Sequence, residues 1–452
     1  MLAQGAGFFQ SFGTLQYRFF RLGLVYSKTL NMEKFVIQGG VKLSGAVPVN
    51  GAKNSALKIL AALILSDEKC RILNFPFIED TLNAIEILEK LGAKTEIDKK
   101  NRIVEIDPSG IKNTELDEVL VRRLRSSILF AGPLLAKFGK VRMNHPGGCV
   151  IGKRPIDLFL DGFEKMGISV ELFDEGFELT VGKKHIKGAE IFFPQVTVTG
   201  TEAMMMTAVL AEGRTILRNC AMEPEIPALA EYLNNCGAKI KGAGTNTIEI
   251  EGVEKISGGE FKVVPDRIEA GTFVMMGLLT NSEIKVENCM PEHLGALLPV
   301  LKEAGAELEI GDDFIITKPS SLKATSIVTH EYPGFATDLQ PPYTLLMTQA
   351  KGQCIIHESI FDGRLFFTDR LSSMGANIIM CDPHRVVVNG PTKLMGKKLT
   401  SPDLRAGITL VLAGMVAEGT TTIENIYQVD RGYEKIEERL QKIGAGIKRI
   451  KE

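Results

Sequence analysis

No apolar run in this 452-residue chain reaches the roughly 20 residues needed to span a bilayer. The stretch from Ala56 to Leu65 is shorter and is broken by Lys58. Charge of one sign is missing too: 53 Lys and Arg face 55 Asp and Glu, a formal net charge of −2. A nucleic-acid coat or a membrane-surface protein would show a one-sided balance, so any anion site must be a local cluster. The cysteines at 70, 149, 220, 236, 289, 354 and 381 form no Cys-x-x-Cys pair and have no nearby histidines at metal-ligand spacing. Zinc and a disulfide framework are set aside on that ground. The expectation is a soluble cytoplasmic protein without metal or cofactor, acting on small molecules rather than nucleic acid or membrane, and with no obligate protein partner evident.

A chain of this length exceeds what one hydrophobic core usually serves, so two domains are expected. Glycine is plentiful, 45 residues, against a usual share of roughly 7%. Residues 1–31 carry Arg18, Arg21 and Lys28 but no acid. They read either as a targeting peptide or, the reading preferred here, as an over-extended start before a folded protein beginning at Met32.

From Met32 onward one pattern recurs six times. Each copy ends a helix in an apolar residue plus glycine, at Gly92, Gly167, Gly237, Gly305, Gly375 and Gly444, which are 75, 70, 68, 70 and 69 residues apart. Glycine suits the left-handed residue just past a helix end. A second helix recurs in each copy, at Ser55–Ala62, Ser127–Leu135, Glu202–Leu210, Gly271–Leu279, Pro342–Met347 and Gly407–Met415. These six are apolar nearly all round and rich in Ala, Gly and Met, so they belong inside the protein, and their methionines are packing material. Four copies continue with a strand leading to an asparagine turn at Asn74, Asn144, Asn219 or Asn288; a fifth has Asn425, and the remaining copy has His357-Glu358 instead. Alternating strands and helices argue for an α/β fold. Buried helices beside alternating strands suggest helices inside and sheets outside, in three-plus-three units.

The stretch Pro146-Gly-Gly-Cys149-Val-Ile-Gly-Lys153-Arg154-Pro155 stands apart from the repeats. Its glycines hold neither helix nor regular strand, so it is a loop. His145, Lys153 and Arg154 would favour the thiolate of Cys149, and an arginine fork also grips phosphate or carboxylate. Cys149 reads as an acid or a nucleophile, with a buried structural cysteine as the bland alternative.

Gly51-Ala-Lys53-Asn54-Ser, Arg125-Ser-Ser, the Cys149 loop through Asp157, Pro265-Asp266-Arg267-Ile-Glu269, Thr337-Asp338-Leu-Gln340, Asp403-Leu-Arg405-Ala and Asp430-Arg431-Gly-Tyr433-Glu occur in that order along the chain. On these motifs, from Met32 to the end, the sequence resembles the enolpyruvyl transferase family, and within it the members that act on UDP-N-acetylglucosamine at the opening of peptidoglycan synthesis. The resemblance implies two inside-out α/β barrels of three units each, joined by a double crossover: one domain of residues 53–264, the other of 32–52 plus 265–452. It also implies transfer of the enolpyruvyl group of phosphoenolpyruvate to the 3-hydroxyl of the sugar, with phosphate released by addition and elimination. Such chemistry needs a base for the hydroxyl, an acid for the methylene carbon and several cations for a small, highly charged substrate.

By the resemblance, Asp338 takes the sugar hydroxyl and Cys149 protonates the enol carbon or forms a thioether with phosphoenolpyruvate. From the residues alone, Asp338 could equally cap the helix that follows it. Lys53, Asn54, Arg154 and Arg431 are carried over as phosphoenolpyruvate contacts. The sugar-nucleotide contacts are Arg125, Arg154, Pro155, Ile156, Asp157, Leu158, Thr197, Val198, Asp338 and Ile360. Asp403 and Arg405 match a supporting pair that a structural ion pair would explain as well, and Asp266, Arg267 and Glu269 read as a charged network at the crossover. No histidine stands out as catalytic. An anion shared by Lys53 and Arg431 would lock the domains together, so a clamp that closes on the UDP-sugar, with the Cys149 loop over it, is expected. The resemblance further implies alkylation of Cys149 by fosfomycin. Three rivals are a transferase acting on shikimate 3-phosphate, which lacks the Cys149 loop, an RNA 3′-terminal phosphate cyclase, which needs a nucleotidyl-accepting histidine and a basic groove, and an inactive UDP-sugar-binding paralogue.

Overall fold

The computed structural model describes residues 33–147, 151, 156–182 and 185–451. Among them the fold is α/β, with six small sheets, five of four strands and one of three. Six buried helices accompany the sheets: α1 (Lys53–Ala62), α2 (Ala131–Phe138), α3 (Val198–Ala208), α4 (Arg267–Leu279), α5 (Gln340–Gln349) and α6 (Leu404–Val416). In α4 every residue from Ile268 to Leu279 is buried, and in α6 every residue from Leu404 to Met415. Buried hydroxyls on these helices bond the carbonyl four residues back, as Thr207 does to Ala203, Thr272 to Ile268 and Thr409 to Arg405, which is how a polar side chain survives inside an apolar layer.

The second of these helices is not the continuous element expected from Ser127 to Leu135. Residues Arg125–Phe130 form a 3-10 turn, and α2 proper begins at Ala131. Pro133 explains the change, because it has no N–H for the carbonyl of Leu129 and its ring crowds that position, so a single α ladder cannot run through. The paired prolines of α5 act likewise, and the 3-10 turn Thr337–Leu339 precedes them.

All six repeat glycines adopt positive φ, from 81° at Gly167 to 118° at Gly92, so the amphipathic helix of each unit ends where a Cβ would be strained. Asparagines 74, 219, 288 and 425 are left-handed as well, with φ of 54°, 58°, 53° and 57°. Each donates its side-chain Nδ2 to a carbonyl just past the neighbouring parallel strand: Val263, Phe193, Val49 and Ser401, at 2.9, 2.9, 2.6 and 2.8 Å. Asn144 departs from that pattern. It ends the strand Lys140–Asn144 opposite Gly176, in the three-stranded sheet, where the parallel partner has shrunk to a single bridge between Glu115 and Arg142. With no parallel strand alongside, the asparagine has no such carbonyl to hold.

Buried apolar side chains form two clusters, one running from Ala52 to Val263 and the other drawn from Phe35–Val49 and Ile268–Ile447. The chain passes between them twice. The strand Gly45–Pro48 lies parallel to Ile284–Glu287, and Glu260–Lys262 lies parallel to Cys70–Leu73. The two passing segments hold each other antiparallel, Ala52 N donating to Val264 O at 2.7 Å and Asp266 N to Asn50 O at 2.9 Å. Gly51 is required there, since a Cβ would stand 2.0 Å from the carbonyl oxygen of Asn74. The first strand, Glu33–Gln38, is sandwiched between Thr420–Glu424 and Gly446–Lys451 in the last unit's sheet. No helix of the described residues is long and apolar enough to cross a membrane.

Candidate active site

Four of the buried helices, α1, α3, α4 and α6, start at one cleft of about 440 Å³, and the 3-10 turns ahead of α2 and α5 open on it too. Lys53 and Asn54 line it from α1, Arg125 and Ser126 from the turn into α2, and Thr197 and Val198 from α3. From the other cluster come Arg267 and Ile268 at α4, Thr337 and Asp338 before α5, and Asp403, Leu404 and Arg405 at α6. Thr197, Asp266 and Asp403 already accept from the first N–H groups of α3, α4 and α6, so it is the partial positive charge of the converging helix ends, rather than free donors, that suits the cleft to anions.

Asp338 does not cap its helix. Its two oxygens accept from Arg364 Nη2 at 2.9 Å and Arg405 Nη2 at 2.8 Å. Burial alone would raise the Asp338 carboxyl, but Arg405, Arg364 and Lys53 outweigh it and hold the group well below the usual carboxylate range. Arg405 gives Asp338 a single nitrogen, Nη2, while Asp403 caps α6 by accepting from the N–H of Arg405 and of Ala406 at 2.9 and 3.1 Å.

Lys53 and Arg431 share a carboxylate that the sequence reading passed over. Asp80 Oδ2 lies 3.2 Å from Lys53 Nζ, and Asp80 Oδ1 accepts from Arg431 Nε at 2.8 Å. Burial pulls the Lys53 ammonium below its ordinary range; Asp80 opposes this, and Arg405 and Arg431 add to it. A lysine under such pressure gains from an incoming anion, which supplies the counter-charge that one aspartate shared by two cations cannot.

A third set of charges lies along the same cleft. Lys58 Nζ sits 3.2 Å from Glu202, which is fully buried, and Arg267 Nε sits 3.4 Å from Glu225. Burial is the largest influence on Glu202 and, with Glu225 and Glu223 nearby, it overrides Lys58 and pushes the carboxyl up to about 8. Three carboxylates facing two cations leave one negative charge in excess, which a proton on Glu202 removes.

Of the residues singled out from sequence, Lys53, Asn54, Arg125, Leu158, Thr197, Val198, Asp338, Ile360, Asp403, Arg405 and Arg431 line this cleft. Ile156 and Asp157 open the helix Asp157–Lys165, from which Leu158 reaches it. Cys149, Arg154 and Pro155 lie outside the described residues. The segments flanking them are tethered on both sides. Arg125 Nη1 donates to the Pro146 carbonyl at 3.0 Å, and the buried Ile151 accepts from Gly363 N at 3.0 Å. The crossover network is present as well: Asp266 accepts from Ile268, Glu269 and Lys53 N–H groups, and Glu269 pairs with Arg439 at 2.6 Å. Asp80, Arg364, Lys58, Glu223 and His330 also line the cleft and were missed as site residues. Asp80 reads as an ordinary acid in a helix first turn and Arg364 as a surface charge; the internal repeat alone points to them, because both stand just ahead of or within an element whose equivalents face the cleft.

The family profile described as EPSP synthase (3-phosphoshikimate 1-carboxyvinyltransferase) matches residues 37–440. A UDP-N-acetylglucosamine 1-carboxyvinyltransferase of Coxiella burnetii is 43% identical, with 93% of this chain and 96% of the relative covered. The one from Koribacter versatilis is 44% identical over 93% of this chain and 97% of its own. The chain belongs to the UDP-N-acetylglucosamine 1-carboxyvinyltransferase family. Among solved structures, this family member is similar to the enolpyruvyl transferase NikO of Streptomyces tendae, with a TM-score of 0.85, 25% identity and coverage of 94% of this chain and all of that one. EPSP synthase of Acinetobacter baumannii, at 21% identity and TM-score 0.72, covers 93% of this chain and all of its own, and shares the fold.

Proposed function

We propose that this protein moves the enolpyruvyl group of phosphoenolpyruvate to the 3-hydroxyl of UDP-N-acetylglucosamine, releasing phosphate, as the committed step of peptidoglycan synthesis in the cytoplasm. The family membership supports the activity. The observation that carries the chemistry is the Asp338 carboxylate, half-buried between two arginines in a cleft that also holds Lys53 and Arg431.

In the addition half, the sugar oxygen bonds to C2 of phosphoenolpyruvate while its proton goes to a base and a second proton arrives at the methylene carbon. In the elimination half, a proton leaves the new methyl group and phosphate departs with its bonding electrons. Asp338 is the acceptor for the hydroxyl proton. A carboxylate neutralised by two arginines is a weak base. The anionic substrate changes this by drawing the field of Lys53, Arg405 and Arg364 onto its own phosphate and carboxylate, so Asp338 gains basicity when the site is filled. Lys53, Asn54, Arg154 and Arg431 hold phosphoenolpyruvate, Arg125 and the segment Arg154–Leu158 with Thr197, Val198 and Ile360 hold the sugar nucleotide, and Cys149 is the proton donor to carbon. A donor must arrive protonated, which limits how far the neighbouring cations can favour its thiolate.

We read the two apolar clusters as two domains, 53–264 and 32–52 plus 265–452, each an inside-out barrel of three units with its helices within. The six largely buried helices and the paired crossover strands support that arrangement. Release of inorganic phosphate from phosphoenolpyruvate, strictly dependent on UDP-N-acetylglucosamine, is the deciding assay. Release with shikimate 3-phosphate as acceptor, or none with either, would overturn the assignment.

A further inference from the structure

The fifth unit breaks the internal repeat beside Asp338. In four units the N–H that follows the strand-ending asparagine position donates across the sheet to the hairpin beyond: Phe75 to Arg102, His145 to Glu175, Cys220 to Asn246 and Cys289 to Asp313. Glu358 makes the same bond, to His384 O at 2.8 Å, and so occupies the same structural position. Its equivalents Phe75, Cys220 and Cys289, together with Ile426 after Asn425, are buried apolar residues. Glu358 is a carboxylate with no exposure at all. Burying a carboxyl group where four of the other units bury carbon or sulfur, and the remaining one exposes His145, is unfavourable unless every oxygen is used.

Both oxygens are used, and the bonds form a closed ring. Oε2 accepts from Thr337 Oγ1 at 2.9 Å; Oε1 accepts from Ile360 N at 3.0 Å and Phe361 N at 3.1 Å. Phe361 O accepts from Arg364 N at 3.2 Å, and Arg364 Nη2 reaches Asp338, the residue after Thr337, at 2.9 Å. Glu358 thus fixes the peptide before Asp338 and the loop bearing Ile360 and Arg364. We infer that Glu358 is the positioning residue for the acceptor half of the site, setting Asp338 and Ile360 against the sugar without touching either substrate. The inference rests on the proposed role of Asp338.

The test is steady-state kinetics of the full chain as wild type, Glu358→Leu and Glu358→Gln, with thermal unfolding of each. Leucine restores the apolar class found in four other units. It should lower kcat about 100-fold, as a misplacement of about 1 Å can, and raise KM for the UDP-sugar while KM for phosphoenolpyruvate stays within about twofold. Glutamine keeps an oxygen for the two loop N–H groups and should recover kcat to within about tenfold of wild type, at an unchanged unfolding temperature. Wild-type kcat and KM values in Glu358→Leu would overturn the inference, as would a parallel rise in both KM values. Should the leucine variant fail to fold, Glu358→Ala takes its place, and wild-type kcat and KM values in that enzyme would overturn it. A wild type that does not turn over this substrate pair sinks the proposed function and the inference with it; a competent wild type with indifferent variants sinks the inference alone.

Discussion

Asp338 stays ionised far into acid because Arg405, Arg364 and Lys53 surround it, so its own titration in the free enzyme cannot set the acid limb of the kcat/KM profile. Removing one cation should bring that titration up: Arg364→Gln is expected to move the acid limb to higher pH, read from kcat/KM between pH 4 and 9. An unmoved limb would mean that Asp338 stays fully ionised without Arg364, against the hold assigned to that arginine. Glu202 is displaced the opposite way. With its folded pKa pushed up to about 8 and an unfolded value near 4.3, folding favours its protonated form. The contribution is fully present below about pH 4.3 and is lost as pH rises through about 8. Wild type should therefore lose urea resistance over that window, and Glu202→Gln should flatten the decline; parallel curves would mean that Glu202 is ionised. For Cys149, fosfomycin should inactivate the wild type by alkylating the thiol, whereas Cys149→Asp, whose carboxyl can still donate a proton, should resist. At this scale the sequence disclosed residues inside distinctive motifs, such as Lys53 and Asp338. Asp80 and Arg364 were opaque because each is defined by a partner well separated in sequence, Arg431 in the case of Asp80, whereas Glu358 showed only as a break in the repeat, with no sign of what it holds.

The repeated units show what local chemistry can announce. A glycine past a helix end is forced by a backbone angle, and all six were readable in advance. The asparagine turns depend on a neighbouring strand as well as on the residue, which is why Asn144 reads like the others and behaves differently. The difference is measurable. Asn288→Ala loses the bond to the Val49 carbonyl and leaves a non-glycine residue at φ 53°, which should cost about 1–3 kcal/mol. Asn144→Ala, in a strand without that bond, should cost less than about 0.5 kcal/mol. Urea unfolding of both variants checks the pair, and equal losses would refute the role given to the parallel strand. The broken second helix has a similar origin: Pro133 was visible in the sequence, but how the preceding turn tightens to accommodate it depends on the packing around it.

At the scale of the whole molecule, the two apolar clusters meet through charges. Besides Asp80 with Arg431, Glu434 accepts from Arg102 Nη2 at 2.6 Å and from Phe77 N at 3.0 Å. The Glu434 contacts are part-exposed while Asp80 with Arg431 is buried, and we expect the molecule to compact when UDP-N-acetylglucosamine binds. Small-angle scattering with and without the sugar nucleotide reads this directly; equal radii of gyration would end the clamp idea. Glu434→Ala should widen the unliganded distribution while sparing the unfolding temperature of each cluster. That the chain divides between two cores was legible from its length and repeats. The ionic latch was not, because its members are separated by more than 300 residues, 332 in the case of Arg102 and Glu434.

The sandwiched first strand has a consequence for biosynthesis. Gln38 and its neighbour Thr420 are 382 residues apart, so at roughly 5–20 residues per second the leading strand leaves the ribosome about 20–80 s before its partner exists. Residues 52–263 can assemble their own core during that interval. The leading strand meanwhile offers unpaired edges to any passing chain, which makes the nascent polypeptide, rather than the finished protein, the form most in need of a chaperone.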